Sequence, residues 1–260
     1  STSRRQRQMC IRDRVDTICE VLNDFKRIMA EYGVKDYRAC TTSVFREMKN
    51  PLIIIEQIFR RTGIHVEVLS NAEQHFLGYK SIAAIENGFK KMIQKGTAIL
   101  DVGGGNLQIS LFDKDALVTT QSLKMGSVRI RQRLKELEKT NTNYAQLVEE
   151  FIRNDLTGFK RLYLKDREIK NLILMGDFLT ETIFREERQD NIITRAEFEK
   201  RYENTVYKTE TSLSEEMDID PEYAALIVPT MVICKDFMDL FNAEALWKSL
   251  SILRSIISSR

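Results

Sequence analysis

Four cysteines, three prolines, two histidines and one tryptophan are all that this 260-residue chain holds of those residue types. No two cysteines stand in a CxxC spacing, which excludes a thiolate metal knuckle. Cys10, Cys19, Cys40 and Cys234 read instead as reduced, small core residues of a cytoplasmic protein. So little proline, with 11 glycines, excludes collagen-like and low-complexity classes. No run of about 18 apolar residues exists, so no transmembrane helix and no membrane partner are expected. A strong charge of one sign is also missing. The formal net charge of +2 comes from the ends: residues 1–14 carry five arginines and one aspartate, and residues 248–260 carry three basic residues and no acid. The middle then has 32 basic against 37 acidic residues, which gives no electrostatic case for a nucleic-acid partner. What is present, 43% hydrophobic and 30% charged residues, fits a helix-rich globular protein of one large domain or two small ones.

RRQRQMCIRDR resembles translated adaptor sequence, so residues 1–14 are read as non-native, with a short basic nucleic-acid tail as the alternative. Residues 248–260 are set aside in the same way. Val15 to Tyr32 has apolar residues at helical spacing, with Gly33 at the capping position. Residues 37–45 are β-prone. Asn50 caps a helix that opens on Pro51 and turns Ile54, Ile55, Ile58 and Phe59 inward, and Gly63 ends it. HVEVL (65–69) predicts a strand, and Glu73 to Lys95 a helix bent or broken near Gly78. From 97 the pattern changes to strand, glycine turn, strand (97–112), a third strand (116–123), helices over 129–138 and 143–163, and a buried strand at 171–176. The remainder to Leu246 reads as mostly helical, with a capped start at Thr194. Strands alternate with helices, so the class is α/β, with a domain boundary near 96–98.

DVGGGN (101–106) carries the most chemistry. An acid closes a buried strand and three glycines follow, so bare backbone can turn sharply and bring N–H groups close to an anion. Asp101 at the tip is placed to hold Mg²⁺ or a metal-bound water beside it. The plain alternative is a tight hairpin whose glycines serve only positive φ. TTSVFREMKN (41–50) sets Thr42, Ser43 and Arg46 after a strand, and arginine suits phosphate oxygens. Ser70, Asn71, Glu73 and Gln74 follow another strand, and MGSVR (125–129) and MGD (175–177) add glycine turns. Four such clusters at strand ends favour a phosphate-binding cleft. His65, His75 and Trp247 read as structural or surface residues, and RQRLKELEK (131–139) as a solvated helix face.

These residues resemble the exopolyphosphatase/guanosine pentaphosphate phosphatase family of the actin and sugar-kinase superfamily, and within it a clostridia-like branch. The family's ATSAVREAxN run is matched by CTTSVFREMKN (40–50), its ISGxEEA by LSNAEQH (69–75), its DIGGGSTE loop by DVGGGNLQ (101–108) and its LGxxR by MGSVR (125–129), with ALIVPTMVI (225–233) also in keeping. The resemblance covers roughly 15–247. It implies a two-domain ribonuclease-H-like fold, here the remainder of a first domain over 15–97 and a second over 98–247 with a helical C-terminal part. It also implies Mg²⁺-dependent release of terminal phosphate from inorganic polyphosphate or guanosine pentaphosphate, and it admits a homodimer. Gly103, Gly104, Gly105 and Asn106, with Thr42 and Ser43, would grip phosphate, Asp101 would serve the metal and Arg46 would neutralise charge.

The departures from the family pattern set expectations of their own. The family's water-activating glutamate aligns with Gln74, with Glu73 one residue earlier as its substitute. The acid closing the glycine motif is Gln108, while Asn106 and Leu107 replace its Ser and Thr, and Asp177 replaces a glycine. An amide can hold water but cannot take its proton. The family's opening DxGSNS loop has no counterpart before Val15, so the first domain is expected to be incomplete. The runner-up reading is therefore a degenerate sensor that binds polyphosphate or guanosine penta/tetraphosphate without turnover. A sugar- or acetate-kinase reading lacks an adenosine-pocket motif.

Overall fold

The computed structural model describes residues 2–85, 88–138, 143–165, 167–175, 182–184 and 191–249. Two compact units emerge, residues 1–74 and 75–260. The composition shift near 96–98 marks the start of a sheet strand, and the division itself falls earlier.

The first unit opens with α1 (Thr2–Glu31), which runs well upstream of Val15. It ends at Gly33, whose φ of +63° is the left-handed cap position. β1 (Ala39–Thr41), α2 (Ser43–Arg46), α3 (Pro51–Thr62) and β2 (Val66–Val68) follow. Pro51 stands at the first turn of α3, and Gly63 closes it at φ +73°. Val15, Cys19, Phe45 and Ile58 form the core, with Leu22, Ile54, Ile55, Val66 and Val68 against it. Phe59 departs from the expected inward stripe: it is 36% exposed and lies against the ring of His65 at 4.2 Å. β1 and β2 pair in parallel, Cys40 opposite Glu67, which places both C-terminal ends side by side. That register leaves Cys40 exposed, while Cys19 and Cys234 are buried as expected.

α4 (Asn71–Ile85) is continuous through Gly78, where a bend was expected. Gly78 is buried, and a β-carbon there would lie 2.6 Å from Met175 Cε. The missing side chain thus makes room for the sheet, and the helix needs no break. In the second unit α5 (Phe89–Met92) precedes β3 (Thr97–Val102), β4 (Leu107–Asp113) and β5 (Ala116–Leu123). Then come α6 (Ser127–Glu138), α7 (Tyr144–Phe159) with a π-helical turn over 160–164, and β6 (Asn171–Met175). β7 (Ile192–Thr194), α8 (Arg195–Val206), α9 (Glu210–Met217), α10 (Pro221–Ala224), α11 (Ile227–Phe241) and β8 (Ala245–Ser249) complete it. The strand order is β5-β4-β3-β6-β8-β7. β3, β4 and β5 are antiparallel, while β6 and β8 run parallel to β3. That is the expected ribonuclease-H-like arrangement.

Alternation along β3 and β4 sorts the two faces of this sheet. Ala98, Leu100, Leu107, Ile109 and Leu111 meet α6, α7, α8 and the nearly all-buried α11. Ile99, Phe112, Ile173 and Met175 meet Ile82 and Phe89 of the α4–α5 side. The expected cap at Thr194 is a full capping box with Glu197. β7 and the start of β8 are strands within a stretch read as mostly helical, and β8 continues through Ser249 into the segment set aside as a tail. Trp247 packs at the edge of the second core. No helix among the described residues is long and apolar enough to cross a membrane.

Asp236 of α11 borders a cleft of about 400 Å³ with Glu149, Arg153 and Lys160. Burial first, and the neighbouring Glu149 second, push its carboxyl up to about 7, against the pull of Lys235 and Arg153. The folded chain therefore keeps a proton that the unfolded chain releases near pH 4. Its contribution to stability is full below that pH and is lost as pH rises through about 7. Asp236→Asn, neutral throughout, is expected to melt above the wild type at about pH 8, with the gap closing towards about pH 5. Melting curves across that range check this; a gap independent of pH contradicts it.

Candidate functional site

The two sets of residues singled out from sequence lie in different units, and each is complete in its own local structure. In the first unit, parallel pairing of β1 and β2 brings the segments after them together. Arg46, at the end of α2, donates from Nη1 to the Leu69 carbonyl at 2.5 Å. Both its terminal nitrogens reach Gln74 Oε1 at 3.3 Å. Gln74 thus stands beside Arg46, and because its side chain is an amide, it adds no negative charge of its own to that of nearby Glu47. Partial burial disfavours the guanidinium charge and lowers the pKa of Arg46.

Glu73, the expected substitute for the family's glutamate, is engaged elsewhere. Its Oε2 accepts from Ser70 N and Ser70 Oγ at 2.8 Å, and Ser70 Oγ accepts from Glu73 N at 3.2 Å. This is a capping box at the start of α4, and those bonds hold the carboxyl below its ordinary range. The pattern S-x-x-E was legible at 70–73 as a cap. Thr42 and Ser43 are half-buried at the start of the four-residue α2, with Arg46 N bonded to the Thr42 carbonyl at 3.2 Å. His65 is exposed, and the side chain of His75 lies outside the described residues, as do Gly176 and Asp177.

In the second unit the glycine bend joins β3 to β4, with Asp101 opposite Gln108 and Val102 opposite Leu107. Gly103 N closes the turn on the Asn106 carbonyl at 3.1 Å. Neither Gly103 nor Gly104 has a left-handed φ, so the plain hairpin explanation for these two glycines fails. A β-carbon on Gly103 would lie 3.0 Å from the Asn106 carbonyl oxygen and one on Gly104 3.0 Å from Val128 Cγ2, and the tightest approach is at Gly126. A β-carbon on Gly126 would lie 2.3 Å from the Gly104 carbonyl oxygen and 2.4 Å from that of Gly103. The start of α6 is therefore pressed onto the bend. Ser127 N donates to Gly103 O at 3.2 Å, Arg129 N to Gly104 O at 3.1 Å and Gly126 N to Gly105 O at 3.4 Å.

A trans peptide fixes its N–H opposite its own carbonyl, and no peptide here is cis. With the carbonyls of Gly103, Gly104 and Gly105 aimed at α6, the N–H groups of Gly104, Gly105 and Asn106 face the other way. Among the described residues none of these three donates to a protein acceptor. Three adjacent outward amides present a row of donors, the kind of arrangement that suits an anion.

On the same face, Asp101, Gln108 and Ser122 lie abreast on β3, β4 and β5. Gln108 is 2% exposed, yet among the described residues its Oε1 has no partner, and neither has the buried Asn106 Oδ1. Nearby, the Tyr79 hydroxyl bonds Ser110 and, at 2.7 Å, Thr120. Oxygen atoms alone, one charged and two neutral, suit a hard cation such as Mg²⁺. No group of three His, Cys, Asp or Glu side chains clusters among the described residues. The sequence did not reveal the fit of Gly126 against the bend, since some 20 residues separate them and only the fold brings them together.

Gly126→Ala is expected to destabilise the chain by about 1–3 kcal/mol, as overpacking against rigid backbone does. Gly158→Ala, with nothing within 4 Å of the added carbon, is the neutral-to-stabilising control. Urea unfolding distinguishes them; equal midpoints for Gly126→Ala and wild type contradict the close approach.

The model of the Ppx/GppA phosphatase family matches residues 4–256. A bifunctional 3-dehydroquinate synthase/phosphatase of Fusobacterium nucleatum is 24% identical over 170 residues, 63% of this chain and 23% of that protein. The chain thus spans about a quarter of that curated relative. An exopolyphosphatase from Cytophaga hutchinsonii shares the fold at TM-score 0.80 and 17% identity, covering 94% of this chain and 81% of that one. The Ppx/GppA family member of Aquifex aeolicus does so at 0.66 and 16%, covering 95% and 81%. By the span of the family match, and in agreement with its sheet order and glycine bend, the chain belongs to the Ppx/GppA phosphatase family.

Proposed function

We propose that the chain acts on phosphoanhydrides, releasing terminal phosphate from inorganic polyphosphate or guanosine pentaphosphate by direct attack of water. The row of outward amides at Gly104, Gly105 and Asn106 carries this reading: it offers donors to successive anionic oxygens without side chains in the way. Arg46, held by Leu69 O and the neutral amide of Gln74, would stabilise negative charge developing on phosphate. Asp101, with the oxygens of Gln108 and Asn106, would hold Mg²⁺, whose chemistry there is to neutralise phosphate oxygens. Gln74 can orient a water through its amide but cannot take its proton. Phosphoryl transfer through a loose transition state asks little bond formation of that water, so positioning and charge do most of the work. A missing base still slows the reaction by about 10²–10⁴. Slow turnover is therefore expected.

A second reading, binding of polyphosphate or guanosine penta/tetraphosphate without turnover, is favoured by one observation: Glu73 is fixed in a helix cap and its neighbour is an amide. Phosphate release from long-chain polyphosphate with Mg²⁺ separates the two. Release that falls at least about a hundredfold in Arg46→Ala and in Asp101→Asn, and rises in Gln74→Glu, supports hydrolysis. Tight binding with no release by the wild type, and release gained in Gln74→Glu, supports the sensor. Neither binding nor release by the folded chain overturns both.

A further inference from the structure

We infer that Arg129 is a positioning residue that keeps the glycine bend's amides aimed outward; this rests on the bend being the phosphate cradle proposed above. The start of a helix ordinarily offers its unpaired N–H groups to an anion. In α6 the N–H groups of Ser127 and Arg129 are taken by Gly103 O and Gly104 O, and the N–H of Gly126, just before the helix, reaches Gly105 O only at 3.4 Å. That weakest backbone link has a side-chain partner. Arg129 Nε donates to the Gly105 carbonyl at 2.7 Å, the shortest of the four bonds between the bend and this segment.

The Gly105 carbonyl and the Asn106 N–H share one peptide plane, so the guanidinium sets the direction of the last amide in the row. A charged donor also makes this the strongest kind of hydrogen bond in the set. The three glycines have no side chains of their own to brace the turn, and among the described residues Gly103 N–Asn106 O is the only backbone bond across it. Arg129 therefore serves the cradle through the loop's conformation. It is only partly buried and sits one turn into α6, where its loss leaves both hydrophobic cores intact.

Arg129→Ala tests this with two readouts on the whole chain: amide hydrogen exchange at Gly103 and Ser127 without ligand, and calorimetric binding of tripolyphosphate with Mg²⁺. Exchange at least about tenfold faster, with affinity at least about tenfold weaker and an unchanged circular dichroism spectrum, is the expected result. Unchanged exchange overturns the inference even if affinity falls, since that pattern belongs to long-range charge alone. Faster exchange with unchanged affinity overturns it too. Should the wild type bind no tripolyphosphate, the phosphate reading fails and exchange alone decides whether Arg129 orders the bend. If Arg129→Ala does not fold, Arg129→Gln takes its place with the same expected changes.

Discussion

The bonds between the start of α6 and the carbonyls of Gly103, Gly104 and Gly105 are the constraint on which the rest of the candidate site depends. A glycine run is otherwise the least determined backbone in a protein, free to visit many turns. Pinning its carbonyls on one side removes that freedom and, through peptide planarity, turns the amides to the other. Gly126 makes the approach possible by having no β-carbon, so two glycine sites about 20 residues apart in sequence act as one device. The sheet supplies the frame: β3 and β4 deliver the bend's two ends in fixed register, with Asp101 facing Gln108 at its base.

In both units the residues singled out have shifted from acid towards amide. Gln74 beside Arg46, and Gln108 beside Asp101, remove two negative charges from positions where the family pattern has carboxylates. Each change has a physical consequence in both directions. Less negative charge eases the approach of an anionic chain, while a base and a metal ligand become weaker. Glu73 is a poor replacement for the base, because bonds from Ser70 occupy its Oε2 and lower its proton affinity. In each unit the described groups suit holding an anion better than taking a proton, which is why slow hydrolysis and binding without turnover stand as the two proposed readings.

Much of this was legible in the sequence because local chemistry and fold agree there. The strand–glycine–strand run at 97–112, Pro51 and Gly63 at the ends of α3, and the capping residues at 194–197 each follow from rules that act over a few residues. What escaped depends on partners far along the chain. Gly78 read as a break, yet Met175 fills the space it leaves, and α4 runs straight through. β7 has three residues and β8 five, too short for periodicity to speak against a helix, and only their pairing with each other and with β6 makes them strands. Phe59 fits an inward stripe by spacing, but it faces His65 at the surface. The bend's glycines suggested an anion site by residue type alone, while the reason Gly126 is glycine, its close approach to the carbonyls of Gly103 and Gly104, was invisible until the fold was known.

The central claim is that the amides of Gly104, Gly105 and Asn106 meet anionic oxygens. Titrating the isotopically labelled chain with tripolyphosphate and Mg²⁺, and following backbone amide shifts, addresses it directly. Saturable movement centred on these three residues is the predicted result. A folded chain whose bend resonances stay still while the ligand binds elsewhere, or not at all, contradicts it.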